Sequence, residues 1–498
     1  QVIQILSLKP VSNDFSLKLI IHPISFFLLL ITVQFSNAAQ QQNLPSLGDT
    51  TSGIVSLEQE RALGQDFLRS LRAQAPSVSD PLLQSYLEHL IYKLASHSQL
   101  QDRRLDLVMI NNFTINAFAA PGGIVGVNLG LFLYGETEHE ISAILAHELA
   151  HLSQRHFARG IQSGRAASVK NLAGLLAGII LIATTGSDAG LAAITAGQGA
   201  AQSDMLRNSR AREAEADRIG ILTLADADMD PRAVAYIFER LERANRFNKT
   251  RIPEFLLTHP VTKNRISDSY NQTRRYENKT FPLNLDYHLM KARVTVLAAD
   301  SSDAAIDMMS GWSKRTDPVL KSAGQYGLVM AHLENFDPKA ARKHLRPLLA
   351  AKPSKIAYIL ADAKIHSSAK RYDEALEILG EALAINTKNY PITMAYADVL
   401  LKANRPEEAA DALVLLVPER PNGTEVWYLL AEAYGLANDI IGVHEARAEY
   451  FVLVGNLEQA IKQLGFAMPL VQDDFQLNSK FQLRIQQIQR MRLKARRS

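Results

Sequence analysis

The five residues His147-Glu148-Leu149-Ala150-His151 constrain this chain more than any other stretch. On a helix, positions four apart stand about one turn above each other, so both imidazoles can reach one metal ion while Glu148 overlooks it from the side. In such an arrangement the two His hold zinc, and the neighbouring carboxylate takes a proton from the attacking water. The chemistry expected of it is peptide hydrolysis. The pentapeptide alone is equally at home in an ordinary long helix, so its surroundings decide. Thr137 followed by Glu140 fits a capping box, and Ile141, Ile144, Leu145, Leu149 and Leu152 recur at helical spacing. Together they predict an apolar-periodic helical segment over residues 137–161.

A length of 498 residues leaves room for more than one domain, and a hydrophobic content of 47% speaks against both disorder and a membrane bundle. The net charge is +3; Lys9 and Lys18 against Asp14 place +1 of it in residues 1–38, leaving +2. So small a surplus gives no nucleic-acid footprint. The chain has no cysteine, which excludes thiol nucleophiles, thiolate zinc ligands and disulfides. A metal must therefore be held by His and carboxylates. Lys18, the apolar run 24–33 and the small residues Ser36-Asn37-Ala38 are similar to a secretory signal peptide, with cleavage expected after Ala38. With no long membrane-spanning stretch and no cysteine, the expected compartment is the periplasm of a Gram-negative bacterium.

Residues 40–51 are polar with Pro45 and Gly48 and predict a linker. Helical periodicity follows at 57–71 and 81–95, and 105–110 reads as a strand. Residues 116–128, with Pro121-Gly122-Gly123 at their centre, predict a strand, a turn and a second strand. Its edge near Phe118 and Ala119 is either a platform for an extended substrate backbone or an ordinary structural hairpin. Beyond the metal helix, 172–183 are twelve apolar or Gly residues and 190–201 a second soft stretch. Twelve helical residues rise about 18 Å, short of a bilayer core of roughly 30 Å. This predicts either a hydrophobic flap beside the site, with at most peripheral membrane contact, or a buried helix pair.

A third ligand is expected from the segment 209–220, where Glu213 and Asp217 share one helix face. A carboxylate there completes a His-His-Glu site, and an acid one turn on can accept the N–H of a ligand imidazole. On spacing alone a charged, solvated helix explains the segment as well. Glu215 points away by roughly 200°, the lesser candidate. His139 and His156 read as surface or packing residues. A metzincin is excluded because Gln154 and Phe157 stand where its Gly and third His belong.

The set Asn116 to Gly123, His147 to His151, Glu213-x-x-Ala216-Asp217 and Thr258-His259-Pro260 with Arg265 resembles the zinc endopeptidase family of HtpX and the CAAX prenyl proteases. Its soluble periplasmic branch is the more similar, across essentially the whole mature chain. The resemblance implies one zinc ion per chain, held by His147, His151 and Glu213, with Glu148 as general base and Asp217 in support. It also places the Thr-His-Pro segment near the metal. His259 is then either a fourth zinc ligand that keeps the enzyme latent or a histidine in ordinary loop hydrogen bonds. A membrane-embedded prenyl-type protease lacks its spans here.

From about residue 284 the chain turns to Ala- and Leu-rich helical segments. Ala341, Ala375 and Ala409 lie 34 residues apart, each followed four residues later by Leu345, Leu379 or Leu413, which is the tetratricopeptide signature. Ala460 falls 51 residues from Ala409, which predicts an inserted or shared helix, and a divergent unit is expected near 287–310.

The expected fold is α+β and mostly helical: a signal peptide at 1–38, a gluzincin-like metallopeptidase domain at 39–283 and an all-α tetratricopeptide-repeat solenoid at 284–498. The resemblance implies quality control and assembly of outer-membrane β-barrel proteins, with misfolded or stalled clients as substrates. The repeats would contact the assembly machinery. The alternative is a chaperone or scaffold whose proteolytic site is latent or secondary.

Overall fold

A computed structural model describes residues 55–163, 176–180, 202–247, 253–276 and 278–495. The expected signal segment at 1–38 and most of the apolar stretches at 172–183 and 190–201 lie outside the described residues. Helix α1 (Leu57–Gln74) opens with a full capping box: the Ser56 hydroxyl accepts from Gln59 N–H, and the Gln59 side chain accepts from Ser56 N–H. Helix α2 (Pro81–Ser96) starts on an Asp80 cap with Pro at its first position, where the missing N–H costs nothing.

Three strands follow, β1 (Asp106–Ile110), β2 (Ala117–Ala120) and β3 (Ile124–Asn128), in the order β1-β3-β2. β3 runs parallel to β1 and antiparallel to β2, with Val125 opposite both Leu107 and Ala119. The expected hairpin is therefore present, and β2 is its outer strand. Gly122 and Gly123 turn it at φ of 78° and 82°, a region that L side chains rarely adopt. Gly126 is needed opposite Phe118, because a Cβ there would lie 2.2 Å from the phenyl ring.

After the short α3 (Gly130–Tyr134) comes α4 (Glu138–Ser153), buried continuously from Glu140 to Ala150. A helix buried all round belongs to the core rather than the surface. Thr137 caps it by accepting from Glu140 N–H, but the return bond of the expected box goes to Glu136 N–H. The Glu140 carboxylate is drawn there because Arg240 binds both of its oxygens. The helical segment also stops earlier than the expected 161. Arg155 adopts a left-handed φ of 49°, and a separate helix, α5 (His156–Ser163), begins beyond it. Part of the apolar stretch contributes to the core: Leu176 and Ile180 pack with Phe67, Leu71 and Phe118. Helix α6 (Gln202–Asp226) crosses α4 closely at Ala150, Ala216 and Ile219. A Cβ on Gly220 would already lie 3.3 Å from His147 N. Helices α7 (Ala233–Phe247), α8 (Glu254–Thr258) and α9 (Lys263–Thr273) complete this half.

The remainder is helical: α10 (Leu285–Leu297) and α11 (Ser302–Ser313) both pack against α12 (Pro318–Glu334), and the helices then run in pairs, α12 with α13 (Pro338–Ala351) and α14 (Ile356–Ser368) with α15 (Tyr372–Ile385). Next come α16 (Tyr390–Lys402) with α17 (Pro406–Val414), α18 (Thr424–Leu436) with α19 (Ile440–Leu453), and α20 (Leu457–Ala467) with α21 (Phe475–Ala495). Ala341, Ala375 and Ala409 are fully buried on α13, α15 and α17, where one helix rests on the next. The turns repeat as strictly: Phe336, Lys370, Asn404 and Asn438 all take φ between 55° and 60°. Each is followed by an N–H that reaches back to the carbonyl of His332, His366, Leu400 or Tyr434, which closes the first helix of each pair. No helix is inserted after Ala409. Val443 occupies the equivalent place on α19, and α19 is shared: α20, which carries Ala460, follows it through the same left-handed turn at Gly455, with Asn456 N–H reaching back to Phe451 O. A buried Val there hid the period from a search for Ala.

The repeats curl back onto the N-terminal half. Arg420 forms a two-pronged ion pair with Glu88 of α2 and lies 3.6 Å over the Tyr390 ring. Asn422 donates to Asp106 and accepts from Arg72 through its carbonyl. Among the described residues, no helix is long and apolar enough to cross a membrane. Ala409→Leu overfills a contact with no free space and should destabilise the chain by roughly 1–3 kcal/mol. The measurement is thermal unfolding followed by circular dichroism, with Ala403→Leu at a half-buried turn as the milder control.

Candidate metal centre

Three elements converge on the pentapeptide. From α4, His147 and His151 bring their Nε2 atoms to 3.0 Å from each other. From α6, the Glu213 carboxylate lies 3.4 Å from His147 Nε2 and 3.5 Å from His151 Nε2. From the end of α8, His259 Nδ1 lies 3.0 Å from Glu213 and 3.4 Å from His147 Nε2. One ligand atom from each of the four lies within 4.8 Å of the others, the one group of this kind among the described residues. Two or three imidazoles and a carboxylate, with no thiol, form a donor set suited to zinc.

The charge balance fits a dication as well. Glu148, Glu213 and Asp217 are all buried around the cluster, and the cation among them is Arg265. With all three carboxylates ionised, one guanidinium would leave two negative charges for a metal to balance. Burial pushes the Glu148 carboxyl upward, in the direction a general base at neutral pH requires. Burial acts to raise Glu213 too, but His259 and His147 hold it well below the usual carboxylate range. For His147 burial acts downward, and Asp217 and Glu213 more than offset it, to about 9. Burial and the neighbouring imidazoles push His151 the other way. A proton or a metal, not both, belongs on this cluster.

Each group is held from behind. Asp217, one turn after Glu213, lies 3.0 Å from His147 Nδ1 and receives two bonds of 2.7 Å from Arg265. Arg265 also donates to Pro260 O, and its guanidinium covers the Phe238 ring at 4.7 Å. One Glu148 oxygen, Oε2, accepts the N–H of Ala119 at 2.9 Å, which points away from β3 at the outer edge of β2. The other, Oε1, faces His259 Nε2 at 3.3 Å. Helix α8 is anchored by Glu254, whose carboxylate accepts from the side chains of Asn112 and Asn128, and by Phe255 N–H bonded to Ile115 O. The Phe255 ring then stacks on His259 at 4.8 Å.

All six residues expected at the site, His147, Glu148, His151, Glu213, Asp217 and His259, thus meet in one place. Reading of the sequence missed Glu254 and Phe255, which carry no motif, and left His156 as either a surface or a packing residue. That residue is buried, with Nδ1 2.9 Å from His151 Nδ1 and Nε2 3.1 Å from Glu215. It is no surface histidine, because the turn at Arg155 folds it back beneath His151. Glu215 does point away from the cluster, to His156 and Arg159. His139 is a packing residue, edge-on to Phe281 at 5.2 Å.

Residues 81–271 match peptidase family M48, and 367–433 match a tetratricopeptide repeat. The beta-barrel assembly-enhancing protease of Escherichia coli K12 is 32% identical over 455 residues, 91% of this chain and 93% of the relative. The chain belongs to peptidase family M48. It is a zinc metalloendopeptidase with appended tetratricopeptide repeats. The beta-barrel assembly-enhancing protease of Yersinia pestis is 30% identical over 474 residues, covering 93% of this chain and 96% of its own length. The mitochondrial metalloendopeptidase OMA1 of Schizosaccharomyces pombe is 31% identical over 225 residues, 43% of this chain and 60% of its own. Similarity to this metalloendopeptidase thus spans part of the chain, and similarity to the first two relatives reaches through the repeats as well.

Asp217→Ala should destabilise the protein by roughly 3–5 kcal/mol, because it strips a buried guanidinium of its main partner. Asp217→Ala/Arg265→Met should recover part of that loss in urea unfolding, and a double variant as unstable as the single one would contradict the pairing.

Proposed function

We propose that this chain is a periplasmic zinc metalloendopeptidase, with chaperone activity, in the quality control and assembly of outer-membrane β-barrel proteins. In this reading residues 1–38 are a signal peptide removed after Ala38, 39–283 the peptidase domain and 284–498 the repeat domain. His147, His151 and Glu213 hold the zinc, Glu148 is the general base, and Asp217 orients His147. The observation that carries the reading is the meeting of four ligand groups from three elements within 4.8 Å, with the Glu148 carboxylate beside them. The β-barrel role is supported by the two relatives named for it, whose similarity covers 91% and 93% of this chain.

When bound, zinc polarises the scissile carbonyl and acidifies water at the site. The protein's own groups do the rest. An extended client adds along the outer edge of β2 near Phe118 and Ala119. Ala119 N–H holds Glu148 Oε2, which leaves Oε1 as the oxygen that takes the proton from water and returns it to the leaving amine. Glu148 is almost fully enclosed, so that transfer takes place away from bulk solvent.

His259 is assigned the fourth zinc position, where it keeps the enzyme latent until the segment after α8 moves. Its contacts with Glu213 and with Glu148 Oε1 support that role. The same contacts favour a second reading, in which the protein works mainly as a chaperone or scaffold with proteolysis held in reserve. The repeats then serve as the surface for misfolded or stalled clients and for the β-barrel assembly machinery, since stacked helix pairs bind segments of other proteins.

Glu148→Gln is expected to lower cleavage of an unfolded protein by roughly 10²- to 10⁴-fold with zinc retained; equal cleavage by both proteins would end the assignment. His259→Ala should cleave faster than the parent while keeping its zinc, and an unchanged or slower rate at full zinc occupancy would refute latency.

A further inference from the structure

A second imidazole backs His151. Its Nδ1 lies 2.9 Å from Nδ1 of His156, and His156 Nε2 lies 3.1 Å from Glu215 Oε2, where Arg159 also donates at 3.0 Å. Two ring nitrogens at hydrogen-bond distance share one proton, which sits on one ring or the other. The carboxylate end decides which. Glu215 beside Arg159 is an acceptor, so the nitrogen of His156 that faces it carries the hydrogen. A neutral His156 then offers a lone pair at Nδ1, and the proton in the contact belongs to His151 Nδ1. The Arg159 cation at the same carboxylate opposes a second positive charge on His156. His151 Nε2 is left unprotonated, and it is this atom that lies 3.0 Å from His147 Nε2 and 3.5 Å from Glu213.

We propose that Arg159, Glu215 and His156 form a relay that fixes His151 in the tautomer able to bind the metal through Nε2. It is the counterpart of Arg265 and Asp217 behind His147. His156 touches neither metal nor substrate and is a positioning residue. The relay depends on the reading of His151 as a zinc ligand and goes beyond it in saying what holds that ligand. Its geometry is built by the break after α4. Arg155, at its left-handed φ, is tied down by Glu60, and the chain reverses so that position 156 lies under position 151. A continuous helix would place two residues five apart on different faces.

The test is zinc affinity of the full-length protein, measured on metal-free protein by competition with a chromophoric chelator, with thermal unfolding of the metal-free form as the check on folding. His156→Leu, which fills space without accepting a hydrogen bond, should weaken zinc binding by roughly 10- to 100-fold. His156→Asn places an amide oxygen where Nδ1 stood and should restore most of the affinity, which a purely space-filling role would not do. At the half-exposed position 215, Glu215→Ala should weaken binding and Glu215→Gln, which still accepts, should do so less; this pair decides the matter if His156→Leu does not fold. His151→Phe should lose zinc more severely than any of these. Wild-type affinity in His156→Leu, or equal losses in His156→Leu and His156→Asn, alongside zinc loss in His151→Phe, would overturn the relay and leave the ligand set standing. Wild-type affinity in His151→Phe would overturn the ligand reading itself.

Discussion

Buried negative charge is the constraint that organises the N-terminal half. Glu148, Glu213 and Asp217 lie within reach of one another in the interior, and an uncompensated buried ion costs several kcal/mol. The chain meets that cost with two kinds of partner, a dication at the ligand atoms and Arg265 behind them. Both require close approach of elements far apart in sequence. Ala150, Ala216 and Gly220 let α6 come near enough to α4 for a short carboxylate to reach two imidazoles. Helix α9 must then deliver its guanidinium across the Phe238 ring, and α8 its imidazole over Phe255. A larger side chain at the crossing would separate ligand from ligand before it disturbed anything else.

The parts of this arrangement legible in the sequence are those fixed by local periodicity. His147 with His151, and Glu213 with Asp217, are pairs one turn apart on a helix, and helical spacing alone puts each pair on one face. The sheet edge was legible because Pro121-Gly122-Gly123 has few uses other than a turn. His156 was not legible, since its position depends on a left-handed Arg155, a residue type that gives no signal for that conformation. Nor was Glu254: a carboxylate held by two asparagine side chains more than a hundred residues earlier in the chain leaves no mark on its own neighbourhood. The capping carboxylate of Glu140 went one residue beyond its local partner because a distant Arg240 outweighed it.

The repeat half shows the same division. Its period appears wherever the helix contact uses Ala and disappears at Val443, although the backbone continues unchanged through Asn438. The two halves share one apolar core, in which Phe132 stacks on Tyr287, and the farther repeats are joined to the first half by long-range polar pairs, Glu88 with Arg420 and Asp106 with Asn422. Such pairs add little stability when exposed, but these are largely shielded, and Tyr390 beneath Arg420 makes the site specific for a planar cation. They fix one arrangement of the repeats against β1 and α2.

The outer strand β2 and Glu148 are mechanically one unit. Ala119 N–H is a free edge donor in the sheet, and it is spent on Glu148 Oε2. The remaining carboxylate oxygen faces His259, and His259 is carried by a five-residue helix, too short to be stable by itself. The position of that helix is therefore set by its anchors: Glu254 on Asn112 and Asn128, and Phe255 N–H on Ile115 O. Those anchors lie immediately before β2 and at the end of β3. The same few residues flanking the hairpin therefore hold His259 against Glu148. The contacts that place His259 and the one that places Glu148 thus converge on β2 and the residues flanking the hairpin.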